Sequence, residues 1–212
     1  MITILDYGIG NITSIRRAFE KSNATVRITN DPDLILSSSG LILPGVGAFS
    51  VAMKRLKDDG LIEVLHDYKN SEKPILGICL GMQMLFDGSY EFGEHEGLCF
   101  VPGFVKKIDV PEDTKLPNIG WNRLIRPKSM KWKKTILESI QEDSNFYFVH
   151  TYGAETSDSS DTLSYTDYSD TEFCSTVKRG NIYGCQYHPE KSGTEGLKII
   201  KNFIMLTGNK NE

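Results

Sequence analysis

Hydrophobic positions along the chain alternate between two kinds of pattern. Short apolar runs at Met1–Leu5, Thr25–Ile28, Gly40–Leu43 and Pro74–Ile78 read as buried strands. Between them apolar residues return at helical spacing. Ile12, Ile15 and Phe19 do so after the turn Asp6–Asn11, and Ala48–Asp59 and Leu61–Tyr68 read as two helices separated by Gly60. Asn30-Asp31-Pro32 caps a short helix running toward Leu36, and Cys79–Phe86 is expected to be helical. Strand–helix alternation with short connections predicts an open, largely parallel sheet. After residue 97 strand-like pieces dominate: Leu98–Val101, Val105–Val110, Ile119–Ile125, Phe146–His150, Leu163–Tyr168, Glu172–Lys178 and Ile182–Tyr187. A closing helix, Thr194–Leu206, carries Leu197, Ile200 and Ile204 on one side. No linker-like composition divides the halves, so the second is expected to add antiparallel strands to the same sheet. The expected fold class is α/β: a single-domain open mixed sheet with helices on both faces, over residues 1–206, followed by a short polar tail, 207–212.

Composition narrows the function without choosing it. With 212 residues, 39% hydrophobic and 25% charged, the chain is long enough to bury a core without disulfides. A net charge of −4 argues against nucleic acid as a partner. The longest uncharged stretch, Leu34–Met53, holds four serines, three glycines and a proline, so no membrane-spanning helix is expected. The first residues, Met1-Ile2-Thr3-Ile4-Leu5-Asp6, lack a basic leader, and a cytoplasmic location with reduced thiols is expected. The four cysteines form no Cys-x-x-Cys pair, and His66, His95 and His150 are not at ligand spacing, so neither metal nor cofactor is expected. Gly8-Ile9-Gly10 is too short for a dinucleotide fingerprint. Cys99, Cys174 and Cys185 read as packing residues in strands. The basic stretch Arg126–Lys134 and the acidic, Ser/Thr-rich stretch Glu155–Glu172 read as a solvated loop and a solvated hairpin.

Two segments carry chemistry. Pro74-Ile-Leu-Gly-Ile-Cys79-Leu-Gly-Met-Gln83 places a cysteine where a buried strand meets a helix, with Gly77 and Gly81 at −2 and +2 as a tight elbow requires. Amide groups at a helix start favour the thiolate. The second segment is Tyr187-His188-Pro189-Glu190. On extended backbone, residues i and i+2 point the same way, so His188 is suited to act as base toward a thiol and Glu190 to orient it. Both segments follow strands, at the ends where open α/β sheets place ligands. Each alone is ambiguous between a site and ordinary packing; together they point to a Cys-His-Glu triad.

Gly-Ile-Cys79-Leu-Gly-Met-Gln83 with His188-Pro189-Glu190 resembles the triad, or class I, glutamine amidotransferases. Four further segments resemble the glutaminase subunits of imidazole glycerol phosphate synthase within that family: Asp6-Tyr7-Gly8-Ile9-Gly10-Asn11, Pro44-Gly45-Val46-Gly47-Ala48-Phe49, Ile119-Gly120-Trp121-Asn122 and His188-Pro189-Glu190-Lys191-Ser192. The resemblance spans residues 1 to about 206. It implies hydrolysis of glutamine by nucleophile Cys79, with His188 as acid and base and Glu190 holding it. It implies an oxyanion met by backbone N–H groups of Leu80 and of the loop at Val46. It implies glutamine contacts at Gly45, Gly47, Gln83, Glu91, Thr151 and Tyr152, although Phe92 and Gly93 alter the usual pattern beside Glu91. It also implies a heterodimer with a (β/α)8-barrel synthase subunit that receives the ammonia in histidine biosynthesis. Asn11, Trp121, Asn122 and Lys191 match positions at that interface. One departure is Asn118, which stands in the presumed interface region where the family usually has His. Two kinds of alternative remain open at this level. One is a paralogous subunit feeding amidino-sugar synthesis for surface glycans. The other is a protein of another class: a cysteine-elbow peptidase, a redox protein, or a non-catalytic binding subunit.

Overall fold

The computed structural model describes residues 1–208, so most of the expected polar tail, 209–212, lies outside the described residues. In the first half, β1 (Ile2–Leu5), α1 (Ile12–Lys21), β2 (Val26–Thr29), α2 (Pro32–Leu36), β3 (Gly40–Leu43), α3 (Phe49–Asp58), α4 (Leu61–Asn70), β4 (Ile75–Ile78) and α5 (Leu80–Met84) follow the pattern of apolar runs. Asn11 and Asp31 cap α1 and α2, their side chains accepting from Ser14 N and Leu34 N. The second half supplies β5 (Phe86–Ser89), β6 (His95–Glu96), β7 (Val101–Lys107), β8 (Asn118–Arg123), β9 (Asn145–His150), β10 (Tyr152–Thr156), β11 (Thr162–Tyr168), β12 (Thr171–Arg179), β13 (Ile182–Cys185) and α6 (Gly193–Leu206).

The main sheet has 11 strands in the order β2-β1-β3-β4-β13-β12-β10-β7-β5-β6, with β11 paired to β12. From β2 to β13 all neighbours are parallel. β12 runs antiparallel to β13 and β10, and β10 to β7, but β7 and β5 are parallel again, so the second half is not purely the antiparallel addition expected. Alternation along the strands separates two cores. Ile2, Ile4, Ile42, Leu76 and Ile78 pack with Ile15 and Phe19 of α1 and with Ile199 and Phe203 of α6. Leu41, Leu43 and Ile75 pack on the other side with Phe49, Ala52, Leu56, Leu61 and Leu65 of α3 and α4. Helices therefore cover both faces, as expected for a sheet buried on two sides.

Several elements differ from expectation. The helix after Cys79 stops at Met84, and Phe86 opens β5 opposite Val101. Leu85 and Phe86 are fully buried, and a short buried apolar run has the same pattern as helix or strand. Leu98–Cys99 is not a strand. Leu98 N and Phe100 N donate to the carbonyls of Met84 and Leu85, and Cys99 is exposed at φ +54, so it is not a strand packing residue. Strand β10 went unanticipated because Gly153 and Ala154 give it little β-branched character; its register against β7 makes it. β8 and β9 form a separate two-stranded sheet, not an extension of the main one. The acidic stretch is only partly solvated: Asp161 is buried against Arg179 at 2.7 Å, and Thr162, Ser164 and Thr166 are buried. In the basic stretch, Trp132 is buried and its Nε1 donates to Leu163 O at 2.7 Å. Among the described residues no helix is long and apolar enough to cross a membrane.

Candidate active site

The nucleophile segment is assembled by backbone packed on backbone. Cys79 links β4 to α5 with φ +55 and ψ −112, a region L-residues rarely occupy. A Cβ on Gly77 would lie 2.6 Å from Gly81 O, and one on Gly45 would lie 2.7 Å from Gly81 N. A Cβ on Gly81 would collide with the Leu43 carbonyl. These glycines let β3, β4 and the start of α5 close around the cysteine. Cys79 N donates to Cys185 O at 2.7 Å, tying the elbow to β13. Leu80 opens α5, so its N–H is among those no residue of the helix can accept.

The second arm leaves β13 directly. His188 N donates to Tyr147 O of β9 at 2.9 Å, and His188 Nδ1 meets Glu190 Oε1 at 2.8 Å. The two side chains are 3% and 1% exposed. Ser192 locks the turn: its Oγ donates to His188 O at 2.6 Å and accepts from Tyr147 N at 3.0 Å. His188 Nε2 is buried without a hydrogen-bond partner of ordinary geometry among the described residues, and the ring interacts with Cys79 as well as Glu190. Burial opposes protonation of His188. Interaction with Cys79 and then with Glu190 outweighs it and raises the imidazole from 6.5 to about 9. The sulfur therefore lies beside an imidazolium at neutral pH.

A cavity of about 380 Å³ opens at this pair, lined by Val46, Gly47, Cys79, Leu80, Gln83, Glu91, Thr151, Tyr152 and His188. All are sequence-expected positions. Gly45 does not line it; it packs on α5 instead, while Glu190 stands behind His188. Glu91 has a second engagement, its Oε2 accepting from Phe49 N at 2.6 Å at the start of α3. Pro117, Val149 and His150 also line the cavity, and the sequence pattern did not single them out. His150 Nδ1 meets Tyr152 O at 2.9 Å and its Nε2 meets Asn118 Nδ2 at 3.3 Å. Burial, reinforced by the charge of His188, lowers His150 to about 4, so it is neutral. Asn118 is thus no exposed interface residue. It is 1% exposed and bonded to His150 and Asn122.

Three of the four expected interface positions, Trp121, Asn122 and Lys191, lie on or beside the paired strands β8 and β9. Trp121 is 56% exposed, with its ring 6.0 Å from Tyr147, and Lys191 Nζ lies 5.7 Å from the same Tyr147 ring. Ile119, 60% exposed, pairs with Val149, whose carbonyl lies 4.0 Å from Cys79 Sγ. Asn122 turns its amide to Asn118, and Asn11 is half-buried as the cap of α1.

One support of the triad came only from tertiary packing. A Cβ on Gly196 of α6 would collide with the Pro189 carbonyl, between His188 and Glu190. Gly196→Ala is therefore expected to displace that turn and lower kcat about 10²-fold, with a smaller change in KM, in a steady-state glutaminase assay.

A Cys-His-Glu arrangement stands at a strand–helix elbow, with Cys79 and His188 facing a cavity at the strand ends, a geometry suited to acyl transfer of the nucleophile-elbow kind. The chain belongs to the class-I glutamine amidotransferase family, whose sequence profile matches residues 3–206. Among its relatives, the imidazole glycerol phosphate synthase subunit HisH 1 of Legionella pneumophila (strain Lens) is 43% identical over 212 residues, covering 97% of this chain and 99% of the relative. The corresponding HisH subunit of Sulfurimonas denitrificans is 45% identical over 206 residues, covering 96% and 97%. The fold is similar to a crystal structure described as a glutamine amidotransferase, with a TM-score of 0.70 at 16% identity over 98% of each chain. It is also similar to the glutaminase domain of Trypanosoma brucei CTPS with bound acivicin, with a TM-score of 0.65 at 17% identity over 100% of this chain and 94% of that one.

Proposed function

We propose that this chain is the glutaminase subunit of an imidazole glycerol phosphate synthase. It hydrolyses glutamine to glutamate and ammonia and passes the ammonia to a (β/α)8-barrel partner, in the cytoplasm, for histidine biosynthesis. The observation that carries the reading is the convergence of Cys79, His188 and Glu190 on one cavity. The HisH relatives support the choice of assembly.

The chemistry follows from the geometry. The Cys79 sulfur attacks the side-chain carbonyl carbon of glutamine, with the Leu80 and Val46 N–H groups as the oxyanion donors. The His188 imidazolium gives its Nε2 proton to the leaving nitrogen, so ammonia departs and a glutamyl thioester remains. His188, now neutral, takes a proton from water, and the resulting hydroxide attacks the thioester. Collapse expels the thiolate, releases glutamate and restores the imidazolium. Gly47 sits at φ +89 with open space where a side chain would be, and Val46 is 44% exposed. Such a loop suits a peptide that reorients to offer its N–H.

The partner is assigned to the face bearing Ile119, Trp121 and Lys191. β9 underlies that face and also holds His188 and borders Cys79, so a barrel docked there would receive ammonia by a short route. Trp121→Ala is expected to weaken partner binding about 10- to 100-fold by titration calorimetry. The test of the function is glutamate release by the chain alone, with the barrel subunit, and with the subunit plus the histidine-pathway nucleotide. Stimulation in the last mixture is expected. Absence of glutamine hydrolysis in all three would overturn the reading; stimulation by a sugar nucleotide instead would reassign the partner.

A further inference from the structure

Three features outside the expected triad are candidates for added function: the second cavity between β7, β10 and β12, the exposed Phe92 beside Tyr152, and the buried amide of Gln186. The last is the one that reaches the reacting atom. Gln186 is 0% exposed and follows β13, two residues before His188. Its backbone N donates to Ser175 O at 2.9 Å, which fixes the residue in the sheet. Its side chain makes two directed contacts. Oε1 accepts from Gln83 Nε2 at 3.0 Å, and Nε2 donates toward Cys79 Sγ at 3.9 Å.

The consequence for Gln83 is geometric. Gln83 Nε2 has two protons, one directed to Tyr152 O at 2.9 Å and the other to Gln186 Oε1. Neither amide end is then free to exchange places, and the only hydrogen-bonding group Gln83 has left is its carbonyl oxygen, an acceptor. Gln83 lines the cavity, so the cavity meets an acceptor there. The consequence for Cys79 is electrostatic. An amide N–H aimed at sulfur from inside the protein stabilises the anion where water is excluded.

We propose that Gln186 is a positioning residue of the glutaminase reaction: through one amide it holds Gln83 with its acceptor facing the substrate and presents an N–H to the Cys79 sulfur. The inference rests on the glutaminase reading for its kinetic consequences, but not for its effect on the thiol. Neither contact is expressed in the sequence pattern, since Gln83 and Gln186 are 103 residues apart and Cys79 and Gln186 are 107 apart.

The test separates the two contacts. Gln186→Met keeps length but removes both donor and acceptor. Gln186→Glu keeps an acceptor for Gln83 and, once ionised, offers no donor to sulfur. For Gln186→Met in complex with the barrel subunit, KM for glutamine is expected to rise about tenfold and kcat to fall about tenfold. Alkylation of Cys79 by iodoacetamide, measured on the chain alone without glutamine, is expected to slow about fivefold. Gln186→Glu is expected to keep KM within about twofold of the unaltered chain and to lose kcat progressively as pH rises and the new carboxyl ionises. A residue that merely fills space would leave KM and the alkylation rate unchanged in Gln186→Met, which fills the same space without a donor or an acceptor. The double variant Gln83→Met/Gln186→Met is expected to show no further rise in KM over Gln83→Met, because the two act through one contact. Wild-type KM and alkylation rate in Gln186→Met overturn the proposal. Should both variants fail to fold, the unaltered chain still decides. The Gln186 side-chain amide resonance is expected to shift when Cys79 is alkylated and to exchange slowly with solvent. Rapid exchange and no shift overturn the proposal. The alkylation and resonance readouts need no glutamine, so they stand apart from any failure of the glutaminase assignment.

Discussion

Cys79→Ala is expected to abolish glutamine hydrolysis, by roughly 10⁴-fold or more, while the fold and binding of the barrel subunit persist. Among the described residues lining the cavity, the sulfur alone stands both beside His188 and at the first amide of α5, so no neighbouring side chain replaces it. Backbone strain adds a second outcome. At φ +55 and ψ −112, Cys79 occupies a conformation that typically costs on the order of 1–3 kcal/mol for a residue with a Cβ. Cys79→Gly removes the Cβ and is expected to be equally inactive yet more stable than Cys79→Ala by about 1 kcal/mol, measured by urea denaturation. Equal stability of the two variants would argue that the elbow stores no strain. Hydrolysis surviving in either would remove Cys79 from the mechanism.

Glu190→Gln is expected to lower kcat about 10³- to 10⁴-fold with folding retained. An amide in place of the carboxylate loses the charge that stabilises His188 protonated and leaves Nδ1 facing a group that no longer fixes its tautomer. The pH profile gives the sharper readout. In the unaltered chain His188 stays charged up to about 9, so activity is expected to fall as pH rises through that value, when the acid that protonates ammonia is lost. In Glu190→Gln the basic limb is expected at lower pH. Stability follows the same sign. The folded value lies above the unfolded 6.5, so the contribution of protonated His188 with Cys79 and Glu190 is fully present below about pH 6.5 and is lost as pH rises through about 9. An unchanged basic limb in Glu190→Gln would show that the carboxylate does not control His188.

Much of the fold was legible because its first half is local. Strands β1, β3 and β4 are continuous apolar runs, as expected for strands buried on both faces, and caps at Asn11 and Asp31 mark where helices begin. The same run that made Cys79–Phe86 look helical hid β5, because Leu85 and Phe86 are buried in either conformation. β10 exists through its pairing with β7, and pairing partners 47 and 49 residues away leave no periodic trace on Gly153 and Ala154. The acidic stretch looked solvated because Ser, Thr and Asp are usually outside. Ser164 is inside because Ser175 and Thr176 answer its hydroxyl.

The sequence by itself determined the candidate reactive groups, Cys79 at a glycine-flanked elbow and His188 and Glu190 on one extended step, and a chain folding as an α/β unit. These are readable because each depends on residues within a few positions of one another. Tertiary structure alone decided that the two segments meet, through Cys79 N on Cys185 O and His188 N on Tyr147 O. It also decided that Asn118 turns inward to a neutral His150, that Gly196 makes room for Pro189, and that Gln186 spans Gln83 and the sulfur. Those decisions rest on distances between strands and helices far apart in the chain, where only burial and the need to pair every polar group select the outcome.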